Sequence, residues 1–274
     1  MRRNVFLALC LGAVVLSGAF AGSAAAREKM PLASTTSTLD SGFFDAIIPV
    51  FEKKFNCSVR VIAVGTGQAI RLARDGNADA LLVHDREAED KFVADGFGVK
   101  RLDVMHNDFV IVGPRTDPAA VHGLRATEAF RKIAAVGVIF VSRGDDSGTH
   151  KKELRLWKIL GSKPVPKSYL ESGSGMEATL RVADEKNGYT LVDRATWLAH
   201  KKEIGTLDLL VEGDPELFNP YSVIVVSPAR FPWVNFRMAS KFAGFLRGPD
   251  GQKLIREFGV EKYGRPLFFP DVIQ

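Results

Sequence analysis

The chain has 274 residues, 46% of them hydrophobic, and a formal charge of +5 at pH 7. That length supports one large hydrophobic core or two of moderate size. Basic and acidic residues are interspersed with no long basic tract, which argues against a nucleic-acid-binding surface.

The first 26 residues, MRRNVFLALCLGAVVLSGAFAGSAAA, carry two arginines, an apolar run and then small residues ending in Ala24, Ala25 and Ala26. This is the layout of a secretory signal peptide, residues 1–26, with cleavage expected after Ala26. The apolar run is short for a membrane span. Leu9 stands before Cys10, where lipid attachment would need a small residue. Cleavage leaves Cys57 as the sole cysteine. A lone cysteine excludes an internal disulfide and a thiolate metal cluster, and Cys57 is expected to be a buried structural thiol. The chain reads as an exported protein of the periplasm that folds on its core alone.

Periodicity then predicts the elements in turn. REKMPLASTTST opens apolar and turns polar. In DSGFFDAIIPVFEKKF, Phe44, Ile47, Phe51 and Phe55 share one helical face, with Pro49 placed to bend it. SVRVIAVG is a buried strand, GTGQAIRLARDG a turn and helix closed by Gly76, DALLVH a strand, REAEDKFVADG a helix, and MHNDFVIVGP a strand. A second set follows: the helix RATEAFRKIAAVG, the strand VIFVS, the helix SGTHKKELRLWKILG, the turn and helix SGSGMEATLRVADEKNG, the strand YTLVD and the helix RATWLAHKKE. The strand YSVIVVSP and helices around VNFRMASKFAGFLRG and PDGQKLIREFG close the chain.

Strands alternating with helices predict an α/β fold with mainly parallel sheets covered on both faces. The longest apolar runs, NDFVIVGP and NPYSVIVVSP, each begin with Asn and end in Pro. They are expected to be two crossover strands forming a hinge between two lobes. One lobe would comprise residues 27–112 plus 222–274, the other 113–221.

Ligands in open parallel sheets sit beyond the carboxyl ends of strands, where loops enter helices. Three such turns are rich in glycine and hydroxyl residues: STTSTLDSG (34–42), GTGQ (65–68) and SRGDDSGTH (142–150); GSGM (173–176) is a fourth candidate. Helix N-termini expose unpaired N–H groups and a partial positive charge. Glycine admits close approach to the backbone, and Ser and Thr add donors. Arg143 adds a fixed charge and a donor fork suited to tetrahedral oxyanions. Any one turn is explained by helix capping alone; three together point to an anion site. Asp40, Asp145 and Asp146 would repel an anion, and are expected to cap helices or pair with Arg143.

Three rival constellations carry less. Ser147 with His150 and an aspartate could make a hydrolase, but Ser147 lacks the G-x-S-x-G frame and His150 follows it in the same helix start. His84-Asp85, His106-x-Asp108 and Asp145-Asp146-x-x-x-His150 supply metal-ligand types without metal-site spacing. GTGQAI lacks the third glycine of a dinucleotide fingerprint.

At ASTTSTLDSG, VIAVGTGQAI, DALLVHD, MHNDFVIVGP, FVSRGDDSGTHKKE, GMEATL and YTLVDRATW the chain resembles the periplasmic tungstate-binding proteins of ABC importers, in order and over the whole mature length. The most specific block is 140–153; its R-x-x-x-S-G-T pattern also resembles phosphate-binding proteins. The resemblance implies a two-lobed, type II periplasmic binding protein that closes on tungstate or molybdate and delivers it to an inner-membrane ABC permease with a cytoplasmic ATPase. It implies no catalysis, no cofactor and no free metal cation. A monomer is expected. The ligand residues implied are Thr35, Thr36 and Ser37 in the first turn, Thr66 and Gly67 in the second, and Arg143, Ser147, Gly148 and Thr149 in the third. The family usually has G-M-G at the later turn; here it reads Gly175-Met176-Glu177. Phosphate is the alternative ligand, and a secreted hydrolase using Ser147 the alternative class.

Overall fold

A computed structural model describes residues 27–161 and 166–272. The expected export segment, residues 1–26, lies outside the described residues. Among the described residues no helix is long and apolar enough to cross a membrane.

The chain begins with β1 (Glu28–Thr35), α1 (Thr36–Asp40), α2 (Phe43–Phe55), β2 (Cys57–Val64), α3 (Thr66–Arg74), β3 (Ala80–Val83), α4 (Arg86–Ala94) and β4 (Gly98–Pro114). It continues with α5 (Ala126–Val136), β5 (Phe140–Ser142), α6 (Gly148–Leu160), β6 (Tyr169–Glu171), α7 (Met176–Glu185), β7 (Thr190–Asp193), α8 (Arg194–His200) and β8 (Leu207–Val211). It closes with β9 (Phe218–Val226), α9 (Phe236–Arg247), α10 (Pro249–Glu257), α11 (Val260–Tyr263) and β10 (Phe269–Pro270). The short strands β6 and β8 have no counterpart among the predicted elements.

The helical face of α2 is buried through Phe44, Ile47 and Phe51. The helix runs through Pro49, whose ring stays exposed, so water can serve the carbonyl that proline leaves without a donor. Cys57 is fully buried at the start of β2.

β4 joins the two halves of the sheet. From Gly98 to Asp108 it pairs with β9; from Phe109 to Pro114 it pairs with β7 and β8 instead. The change of partners therefore falls at 108–109 on the outward strand, and the return lies between β8 and Phe218. The sequence places these boundaries near residues 113 and 221. The first lobe has the order β10-β4-β9-β3-β1-β2, with β1, β2 and β3 parallel and β9 antiparallel between β3 and β4. In the second lobe β5 and β6 are parallel, and a parallel bridge from Phe140 to Tyr189 ties β5 to the start of β7. Every antiparallel pair among the described residues involves β4, which spans both lobes, or β9, which lies wholly in the first lobe and does not itself cross as NPYSVIVVSP was expected to do.

Each lobe has its own apolar cluster. One packs Phe130, Phe140 and Trp157 beneath the second lobe, and another packs Ile70, Phe92 and Ile224 on one face of the first. The largest, around Phe43, Phe51, Phe242 and Phe268, extends along β4 to Met176 and Leu180 of α7. Trp157 lies 4.3 Å from Phe130 and 5.3 Å from Phe140, centroid to centroid, which anchors α6 against β5.

Candidate functional site

Each of the three hydroxyl-rich turns carries the chain from a parallel strand into a helix. β1 enters α1 at Thr35, β2 enters α3 at Gly65, and β5 leads through residues 143–147 into α6. The caps are local. Thr35 Oγ1 accepts from the Thr38 N–H at 3.4 Å, and Ser147 Oγ accepts from the His150 N–H at 3.1 Å.

The fold brings these turns into direct contact. Arg143 Nη2 donates to Thr36 Oγ1 at 3.0 Å. Gly148 N donates to Thr66 Oγ1 at 3.0 Å, and Gly67 N to the Asp146 carbonyl at 3.2 Å. Thr35, Ser37, Thr66, Arg143, Ser147 and Thr149 are each at most 2% exposed. Gly148 is needed for the approach: a Cβ there would lie 2.9 Å from His84 Cε1 and 3.1 Å from Thr66 Oγ1.

Two donors at the third turn are buried with no partner among the described residues, Arg143 Nε and Thr149 Oγ1. Buried donors are nearly always paired, so an unpaired guanidinium N–H and an unpaired hydroxyl carried by the same turn mark a place built for an acceptor.

The carboxylates divide as their surroundings dictate. Asp145 Oδ2 accepts from Arg143 Nη2 at 2.5 Å, while its Oδ1 accepts from the Ser147 N–H at 3.2 Å. Asp146 is exposed and faces Arg71 (3.3 Å) and Lys151 (3.5 Å). Burial and the charge of Asp193 raise Asp40 to about 6, against the pull of Arg143. Burial also pushes Asp193 upward; its Oδ1 accepts from the Thr196 N–H at 2.9 Å, and its Oδ2 has no partner. The fourth turn backs onto the first, since a Cβ on Gly175 would lie 3.6 Å from Thr36 Oγ1. Glu177 is engaged by Arg181 at 2.9 Å.

One buried group beside the turns was not singled out for the site from sequence. His84 is 4% exposed, and burial lowers it to about 4, so the ring is neutral at pH 7. Its Nδ1 lies 2.9 Å from Asn219 Oδ1, and its Nε2 lies 3.4 Å from Ser37 Oγ. Asn219 Nδ2 donates to Asn107 Oδ1 at 2.7 Å. The signal was the asparagine at the head of each long apolar strand; the register sets Asn107 opposite Asn219.

Among the described residues neither the Ser147–His150 pair nor the His106–Asp108 pair is assembled into a site. Ser147 Oγ accepts from a backbone N–H, and His150 Nδ1 accepts from the Asp146 N–H at 3.2 Å, so the imidazole is turned to the backbone rather than to the hydroxyl. His106 Nδ1 bonds Asp271 instead of joining Asp108 in a ligand set. Glu177, His200 and Glu203 do cluster, but Arg181 pairs with both carboxylates.

Residues 21–249 match the model of the PBP superfamily domain. The chain is 46% identical over 249 residues to the tungstate-binding protein TupA of Peptoclostridium acidaminophilum, covering 90% of this chain and 87% of that protein. Among solved structures, the tungstate ABC transporter protein of Geobacter sulfurreducens superposes with a TM-score of 0.78 at 49% identity, covering 84% of this chain and 99% of that one. The tungstate-binding protein TupA of Desulfovibrio alaskensis G20 superposes with a TM-score of 0.76 at 43% identity, covering 90% and 100%. With its two lobes joined along β4 and its three turns meeting between them, the chain belongs to the TupA family of periplasmic binding proteins.

Proposed function

We propose that this protein captures tungstate in the periplasm and presents it, as a monomer, to a membrane ABC importer. The relatives named above support the ligand and the transporter partner. The observation that carries the site is the pair of buried, unpartnered donors, Arg143 Nε and Thr149 Oγ1, where turns of both lobes converge.

The mechanism is replacement of a water shell by fixed dipoles. Moving a bare dianion out of water costs tens of kcal/mol on continuum grounds. The first turns of α1, α3 and α6, linked by the contacts of Arg143 with Thr36 and of Gly148 with Thr66, offer N–H groups and positive helix ends where the lobes meet. Thr35, Thr36, Ser37, Thr66, Ser147 and Thr149 add hydroxyls, and Arg143 adds one full charge; Gly67 and Gly148 let the second and third turns meet, their N–H groups engaged by the Asp146 carbonyl and Thr66 Oγ1. Because these groups come from both lobes, an anion between them stabilises the closed arrangement, and closure is what a permease reads.

A rigid ring of donors selects by radius. Sulfate is smaller than tungstate and leaves the donors apart. Molybdate matches tungstate in size and is expected to bind. Phosphate is the second reading: the unpartnered Asp193 Oδ2 near the first turn could accept the proton of a protonated oxyanion. Isothermal calorimetry with tungstate, molybdate, sulfate and phosphate tests the assignment. Tight binding of the first two and weak binding of the others is the expected result; tight phosphate binding without tungstate binding would overturn it.

A further inference from the structure

Resting on the oxyanion reading above, we propose that His84 is a positioning residue: with the anion bound it carries its proton on Nε2 and donates to Ser37 Oγ, which turns the Ser37 hydroxyl hydrogen toward the ligand.

The geometry is a chain of polar groups running from the hinge to the first turn. Asn107 and Asn219 face each other across β4 and β9, Asn219 reaches His84 Nδ1 at 2.9 Å, and His84 Nε2 lies 3.4 Å from Ser37 Oγ. The ring is clamped, stacked on Tyr221 at 4.6 Å and closed in by Gly148. In a neutral imidazole one nitrogen donates and the other accepts, so the partner at Nδ1 decides what Nε2 offers.

Two polarities fit the same positions. If Asn219 Oδ1 takes the Nδ1 proton, Nε2 is a bare acceptor, draws the Ser37 hydrogen to itself and leaves a serine lone pair facing the anion. A half-turn of both amides reverses the chain. Asn107 Nδ2 then donates to Asn219 Oδ1, Asn219 Nδ2 donates to His84 Nδ1, and Nε2–H donates to Ser37. The structure shows slack for this reversal, because Asn107 Nδ2 is buried without a partner in the first arrangement. A dianion beside Ser37 favours the arrangement that points hydrogens at it.

Long-range proton–nitrogen NMR on the protein labelled with 15N-histidine reads the tautomer directly. The chain has five histidines, and the His84 signal is the one lost in His84→Gln. With saturating sodium tungstate the expected pattern is Nε2–H. An Nδ1–H or doubly protonated ring in the tungstate-bound protein overturns the inference alone, whereas a wild-type protein that does not bind tungstate removes both it and the ligand assignment. Affinities give a second readout. His84→Gln, which keeps an N–H donor near Nε2, is expected within about threefold of wild type, and His84→Leu at least tenfold weaker. Ser37→Ala with His84→Leu should be no weaker than the worse single variant, since one acts through the other; additive losses would contradict the relay.

Discussion

Arg143 Nη2 donates to Thr36 Oγ1 at 3.0 Å and so ties two residues 107 positions apart in the chain. The same nitrogen bonds Asp145, while Nε has no partner among the described residues. The guanidinium is therefore held at one end and free at the other, which pre-sets its orientation before an anion arrives.

Arg143→Ala is expected to weaken tungstate binding about a hundredfold or more, since hydrogen bonds to charged groups contribute about 1.5–3 kcal/mol each. Arg143→Lys keeps the charge but loses the fork, and should fall between wild type and Ala. Thr36→Ala and Ser147→Ala should each cost less than Arg143→Ala. Calorimetry on the four variants checks the order; an Arg143→Ala affinity within threefold of wild type would remove the arginine from the site.

Gly148→Ala tests the contact between lobes. Its Cβ would press on His84 Cε1 at 2.9 Å and on Thr66 Oγ1 at 3.1 Å. Both neighbours are buried, so the third turn must back away from the second. The expected result is at least a tenfold loss of tungstate affinity, with the ligand-free melting temperature changed by only a few degrees. Unchanged affinity would show that the two turns need not touch.

Asp85 holds the lobes across the cleft edge. Its side chain is 2% exposed and lies 3.2 Å from Lys151 and 3.3 Å from Arg155, both on α6. Asp85→Asn removes both ion pairs. Stopped-flow release of tungstate is expected to quicken several-fold while association changes little. A release rate equal to wild type would mean that these pairs do not hold the closed form.

The buried His84 makes stability depend on pH. Its folded value, about 4, lies below the ordinary 6.5 because burial disfavours the charged ring. The unfolded chain thus binds the extra proton first. This contribution to stability is complete above 6.5 and is lost as pH falls through 4, on the order of 3 kcal/mol at about 1.4 kcal/mol per unit. Urea unfolding at pH 7.5, 5.5 and 4 should show a smaller decline in His84→Gln than in wild type. Parallel declines would show that His84 ionises freely in the fold.

The alternation of strands and helices was legible because apolar period and glycine stops agree at each element; Gly161, for example, ends α6 at φ 66°. β8 was not, because LDLLV is only five residues long, lacks a strict apolar–polar alternation and owes its pairing to β4. The hydroxyl turns were legible as local sequence. His84 and Asn219 lie too far apart in the chain to be read as one group; they meet only through β3 and β9, and tertiary packing rather than local pattern buries them and Asp193. The pairing of Asp145 with Arg143 is legible in the sequence, whereas Asp146 neither caps α6 nor meets Arg143 but pairs with Arg71 and Lys151, partners that only the fold supplies.

A crystal of the protein grown with sodium tungstate, measured at a tungsten absorption edge, tests the central claim most directly. One anomalous peak is expected among Arg143, Thr149, Thr36 and Thr66, within hydrogen-bonding distance of donors from both lobes. A peak instead at Glu177, His200 and Glu203, or one touching a single lobe, would contradict the account.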